Sequence, residues 1–177
     1  MEFTYYGNLL GISGLYKLSP KIAYEKLNEF YNTTFFSIDS DWINSCNGQI
    51  MMFSDSFFMW GKDAEGALRE LNRVYLTLLH KGLLLRGAIV NGKLEFDPRL
   101  QRENFQKFLP KDDTLARAVG LGNTHKGARL LIESKLANQL LENVPSWVTA
   151  HGYIQNPNPK NSVRDRKSTR LNSSHYS

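Results

Sequence analysis

A carboxamide at Asn8 and a carboxylate at Asp55, 47 positions further along, are two oxygen donors of the kind that bind Mg²⁺ or Mn²⁺. Such cations take few protein ligands and fill their remaining positions from water and phosphate. Directly after Asn8 come Leu9, Leu10, Gly11, Ile12, Ser13 and Gly14, a segment whose small residues let backbone N–H groups approach a phosphate chain closely. Arg86 adds a basic residue at the start of a later strand. Each signal has a plainer alternative. An Asp flanked by serines is a common turn former, a Gly pair is a common connector, and an Arg at a strand start is a common surface or pairing residue. The chemistry therefore depends on whether the fold gathers these residues at one place.

The opening residues 1–7 are aromatic and β-favouring, which predicts a strand ending near Gly7 and Asn8. Ser19-Pro20 is a helix-start signal, with Ser as N-cap and Pro at the first helical position. It opens a helix whose buried face is Ile22, Ala23, Leu27, Phe30 and Tyr31. A polar stretch with Asp39, Asp41 and Asn44 leads to Asn47-Gly48. QIMMFSDSFFMWG then predicts a hairpin broken at Ser54-Asp55-Ser56. Ala64, Leu68, Leu71, Tyr75 and Leu78 share one face of a helix over 63–80, stopped at Lys81-Gly82. A buried strand over 83–90 is expected to turn at Asn91-Gly92 into a further strand at 93–96. Residues 97–112 form a charged arm or surface loop; a helix at 114–123, a strand at 128–133 and a helix at 134–141 follow.

This order predicts an α+β fold with a ferredoxin-like βαββαβ core, an antiparallel sheet with helices packed on it. Right-handed crossovers put the first strand in the middle, beside the strand that leaves the hairpin. The end of the first strand and the hairpin turn then lie at one edge of the sheet, which makes Asn8 and Asp55 spatial neighbours.

The length of 177 residues, 41% of them hydrophobic, supports one globular core, taken as a domain over 1–160. A single cysteine, Cys46, excludes an internal disulfide and fits a reducing, cytoplasmic setting. No apolar run approaches the ~20 residues a membrane helix needs, and the first residues lack a secretory pattern, so no membrane partner is expected. The formal charge of +5 suggests a polyanion partner, but residues 165–175, DRKSTRLNSSH, resemble the translation of a sequencing adapter. The 165–177 tail contributes Arg166, Lys167 and Arg170 against Asp165, so setting it aside lowers +5 to +3. Nucleic-acid binding then loses its motivation, and no RNP-type basic-aromatic string supports an RNA-binding ferredoxin-like domain. The run at 156–160 is the last segment read as native, with the natural C-terminus expected to be missing.

The segments YYGNLLGIS, MMFSDSFFMWG and LLRGAIVNGKL, in that order and at these separations, resemble the three core signatures of class III nucleotidyl cyclases. They are most similar to the bacterial pyrimidine nucleotide cyclases of Pycsar anti-phage systems, over roughly residues 3 to 142. The resemblance implies that Asn8 and Asp55 stand at the two metal-binding positions, with Asn8 where the family usually has aspartate. It implies Asp55, Arg86 and Arg117 as catalytic residues, Mg²⁺ or Mn²⁺ as cofactor, and Leu9, Leu10, Gly11, Ile12, Ser13 and Met51 as substrate contacts. Met51 and Met52 occupy the region where purine cyclases carry a base-reading lysine, so a pyrimidine is the implied base.

The implied reaction converts UTP or CTP to a 3′,5′-cyclic monophosphate and pyrophosphate in a head-to-tail homodimer, the product being read by a separate effector protein in anti-phage defence. The helix TLARAVGLG departs from the family: Ala116 and Gly120 fall where purine cyclases carry Asn and Arg. Arg117, His125, Lys126 and Arg129 are left as candidates for the phosphate role, with a helix end and a strand start as the plainer readings of Lys126 and Arg129. The alternatives are a nucleotide-binding homologue impaired by Asn8, or a purine (adenylate or guanylate) cyclase.

Overall fold

A computed structural model describes residues 1–99, 104–105, 107–124 and 126–143. His125, the 156–160 run and the 165–177 tail lie outside these residues, as does part of the 97–112 arm. The elements in chain order are β1 (Phe3–Leu9), α1 (Ile12–Leu18), α2 (Pro20–Ser37), α3 (Ser40–Ser45), β2 (Gln49–Phe53), β3 (Ser56–Gly61), α4 (Ala64–His80), β4 (Leu85–Asn91), α5 (Thr114–Gly122), β5 (Arg129–Ile132) and α6 (Ser134–Asn143). The sheet order is β2-β3-β1-β4-β5. The expected central position of β1 holds: it pairs antiparallel with β3 on one side and with β4 on the other.

Alternation along β1 makes the sheet two-faced. Phe3, Tyr5 and Leu9 are buried on one face with Phe57 and Met59 of β3 and Leu85 and Ile89 of β4. They pack against Phe30 of α2, Leu68, Leu71, Val74 and Leu78 of α4, and Leu136 and Leu140 of α6. Each such side chain contributes about 1.5–3 kcal/mol. Thr4, Ala88, Val90 and Leu131 alternate with these residues and are buried outside that cluster. They lie on the opposite face, where α5 packs over β1 and β4.

Several sequence expectations are corrected. Residues 12–18 are not a connector but a short helix entered through Gly11, whose φ of 88° is left-handed and suits glycine. The polar stretch after Ile38 holds α3, because the Asp39 carboxylate accepts from the N–H groups of Asp41 and Trp42. Ile22 stands exposed on α2 while Ala23 and Phe30 are buried.

The expected strand at 93–96 does not form. Gly92 turns the chain with φ 112°, Glu133 takes the Asn91 N–H, and only Phe96 makes a bridge, to Pro110. The βαββαβ core is antiparallel as expected, and β5, which follows that core, joins β4 in parallel, as the α5 crossover requires.

Candidate active site

β1, β3 and β4 end or begin at one rim of the sheet, and their register fixes who meets there. Asn8 is the Cα partner of Ser56 on β3 and of Arg86 on β4, and Arg86 is in turn the partner of Arg129 on β5. Because paired residues share a face, Ser56, Asn8, Arg86 and Arg129 form one row across four strands. The hairpin turn Ser54-Asp55 closes over this row, and the Leu9 N–H donates to the Asp55 carbonyl at 2.8 Å. The structure therefore brings Asn8 and Asp55 together at the backbone level. Leu10 is tied to the same rim through its N–H to the Leu84 carbonyl, at 2.8 Å.

Ser54 carries the turn with φ 53°, left-handed for a non-glycine residue, a conformation that costs about 1–3 kcal/mol. Tyr31 of α2 lies against this turn. Burial, then the Asp55 charge, raises its hydroxyl above the usual tyrosine range, while the Ser54 N–H works in the opposite direction. The sequence pattern placed Tyr31 on the buried face of its helix but gave no sign of its proximity to Asp55.

Among the described residues no hydrogen bond or ion pair engages the Asp55 carboxylate or the Asn8 carboxamide. No cluster of three or more His, Cys, Asp or Glu forms a ready-made metal site among them either. The donor set at the rim is therefore one charged and one neutral oxygen group. That set fits a hard divalent cation that draws its other ligands from water and phosphate, with less compensating charge than two carboxylates would give.

Of the implied substrate residues, Leu9 and Ile12 are buried in the core, while Gly11 and Ser13 are exposed at the start of α1. A Cβ at Gly11 or Gly14 would meet no atom within 4 Å, so this backbone faces open space. Met51 is half-buried on β2 opposite Phe58, whose ring lies 5.3 Å from that of Tyr6. These residues share the sheet face of Asn8 and Arg86.

The structure does not bring Arg117 to this rim. Arg117 donates to the Asn91 carbonyl at 2.9 Å and to Asp113 at 3.2 Å, and it pairs with Glu133. Burial opposes its charge, but Glu133 and Asp113 outweigh burial and hold the guanidinium above its ordinary pKa. Asn91 pairs with Phe3, five residues from Asn8 along β1, so Arg117 lies about 17 Å from the rim within one chain. A cavity of about 380 Å³, lined in part by Gln49, Trp60, Lys93, Phe96 and Lys111, also lies at that far end and contains none of the implied site residues.

No protein-family model and no curated protein matches the chain. Solved structures do. The adenylyl cyclase CyaB from P. aeruginosa aligns with a TM-score of 0.63 at 15% identity, covering 81% of each chain. The guanylate cyclase domain of RhGC from Catenaria anguillulae, solved with GTP, aligns at 0.61 and 11% identity over 80% of this chain and 82% of that one. The guanylyl cyclase domain of RhoGC from Blastocladiella emersonii, a dimer of non-standard form, aligns at 0.58 and 10% identity over 80% and 83%. The fold is that of a class III cyclase domain. At these identities the likeness establishes the fold, and the assignment of a reaction rests on the rim residues.

Proposed function

We propose that the chain is a nucleotide cyclase that converts a pyrimidine nucleoside triphosphate, UTP or CTP, to its 3′,5′-cyclic monophosphate and pyrophosphate. The observation that carries the reading is the meeting of Asn8, Asp55 and Arg86 at one rim of a cyclase-type sheet, beside the open backbone at the start of α1. In the reaction the ribose 3′-oxygen bonds to the α-phosphorus, the bond from that phosphorus to the pyrophosphate oxygen breaks, and the hydroxyl proton leaves to solvent. Asp55, with Asn8 as an auxiliary oxygen ligand, would hold Mg²⁺ or Mn²⁺, which supplies charge against the phosphates and lowers the pKa of the attacking hydroxyl. Arg86 offsets charge on the phosphoryl oxygens, and the 9–13 backbone takes the phosphate tail. Arg117 can take part only from a partner chain, as in a head-to-tail homodimer.

The choice of a pyrimidine rests on Met51 and Met52 standing where a purine-reading lysine is absent. A cytoplasmic second-messenger role in anti-phage defence, with a separate effector protein reading the product, extends the proposal and rests on the sequence resemblance. Incubation with ATP, GTP, CTP and UTP separately in Mn²⁺, followed by product identification, tests activity and base choice together. A cyclic pyrimidine nucleotide is expected; a cyclic purine nucleotide would move the assignment to a purine cyclase.

A second reading is favoured by one observation, the neutral amide at Asn8. With one carboxylate at the rim, the domain would bind a nucleotide without turning it over. Nucleotide binding with no pyrophosphate release selects that reading.

A further inference from the structure

We propose that Lys126, in the turn between α5 and β5, binds the outer phosphates of the nucleotide from within the same chain, and that Arg129 is the residue that positions it. The inference rests on the nucleotide reading above and adds to it a cation that comes from neither the strand row nor a partner chain.

The turn sits where this requires. α5 runs across the sheet from Thr114, close to Gly92, to Gly122, whose Cβ position is 3.6 Å from the Ala88 nitrogen. The chain thus returns to the Asn8 end of the sheet before β5 begins at Arg129, the register partner of Arg86. Thr124 closes the helix by donating its hydroxyl to the Leu121 carbonyl at 2.8 Å, and Gly127 reverses the chain with φ 96°.

Arg129 fixes this turn from two directions. Its backbone carbonyl accepts from the Tyr75 hydroxyl of α4 at 3.1 Å. Its guanidinium, on a residue only 5% exposed, donates back to the Lys126 carbonyl. The backbone of Lys126 is therefore gripped while its side chain is left exposed.

Electrostatics supply the ligand class. The ammonium of Lys126 and the guanidinium of Arg86 make no ion pair or hydrogen bond among the described residues. Arg86 stands at the start of β4 beside Arg129 of β5, so Arg86 and the turn that carries Lys126 belong to one end of the sheet. Two cations thus flank a rim that holds the Asp55 carboxylate. An anion of several charges complements them, and the tail of a nucleoside triphosphate has the required length and charge.

The test is equilibrium binding to the full chain, in Mn²⁺, of UMP and of a UTP analogue with a non-cleavable α,β bridge. Lys126→Gln is expected to weaken the triphosphate analogue about tenfold while leaving UMP unchanged, and Lys126→Arg is expected to restore it. Arg129→Lys, which loses the planar fork, should weaken the analogue in the native background but add nothing in the Lys126→Gln background. A residue that only stabilises the fold would act equally in both. A folded Lys126→Gln protein with unchanged triphosphate affinity, or with equal losses for both ligands, overturns the inference and leaves the cyclase reading intact. If the unaltered chain binds neither nucleotide, both fall.

Discussion

Asn8 presents a neutral oxygen where a second carboxylate would give a divalent cation a full extra charge. Asn8→Asp is therefore expected to lower the Mn²⁺ concentration needed for half-maximal pyrophosphate release by about tenfold, read from a metal titration at fixed nucleotide. Asp55→Ala should reduce turnover by about 10²-fold or more with the far-ultraviolet circular dichroism unchanged, since the Leu9 N–H is held by the residue 55 carbonyl and not by its side chain. Retained turnover in Asp55→Ala removes the metal assignment. That residues 8 and 55 are neighbours is legible in the sequence, because a βαββαβ order leaves one place for the first strand and the hairpin turn caps that place. The surroundings of Arg117 are not legible. Its partners Glu133 and Asp113 and the Asn91 carbonyl come from three different segments, and sequence spacing gives no sign that they converge.

The same convergence gives α5 its anchor. Glu133 accepts from the Asn91 N–H at 2.9 Å and pairs with Arg117, so one carboxylate joins the end of β4, the start of α6 and the outer helix. Glu133→Ala should cost about 1–3 kcal/mol in urea unfolding, and Arg117→Ala should cost less in the Glu133→Ala background than alone. Beneath the sheet, Tyr75 donates to the Arg129 carbonyl, which leaves Tyr5 as the donor in the 3.1 Å contact between the two hydroxyls. Burial is the main cause holding both phenols above the usual tyrosine pKa. The unfolded chain therefore releases protons near pH 10 that the folded chain retains, so stability should fall as pH rises through about 10. Tyr5→Phe should flatten that fall.

Tyr5 also explains two glycines. A Cβ at Gly7 would lie 1.9 Å from the Tyr5 hydroxyl, and one at Gly87 would lie 2.7 Å from that hydroxyl and 2.5 Å from the Tyr6 carbonyl. Gly87→Ala should destabilise by about 3 kcal/mol, whereas Tyr5→Phe should relieve part of the loss in Gly7→Ala. Elements with strong periodicity, such as α4, are legible in the sequence for the same reason that they are stable: a continuous apolar face. Helix α1 is not, because its seven residues carry two exposed apolar side chains, Tyr16 and Leu18, and only Ile12 is fully buried. The strand expected at 93–96 fails because the Asn91-Gly92 signal describes a turn without specifying what the chain pairs with afterwards.

At the scale of the whole molecule, the proposed homodimer would seat its second copy on the face of the sheet that α5 leaves uncovered. Tyr6, Phe58, Met51 and Arg86 are half-buried there, and Phe53 at the end of β2 is 74% exposed. Sedimentation across a hundredfold concentration range is expected to show a monomer–dimer equilibrium, with Phe58→Lys shifting it toward monomer. A monomer at every concentration would require the reaction to be completed within one chain. None of the described helices is long and apolar enough to cross a membrane.

β1 has a further consequence for how the protein is made. The Thr4 hydroxyl reaches its acceptor, the Gly92 carbonyl, across 88 positions, and both flanking strands of β1 come from distant parts of the chain. During synthesis this apolar segment must wait, unpaired, until the hairpin and then β4 have been translated. Long-range pairing of this kind is intrinsically slow to form and leaves apolar surface exposed in the meantime. Lowering the temperature of expression should accordingly raise the soluble yield.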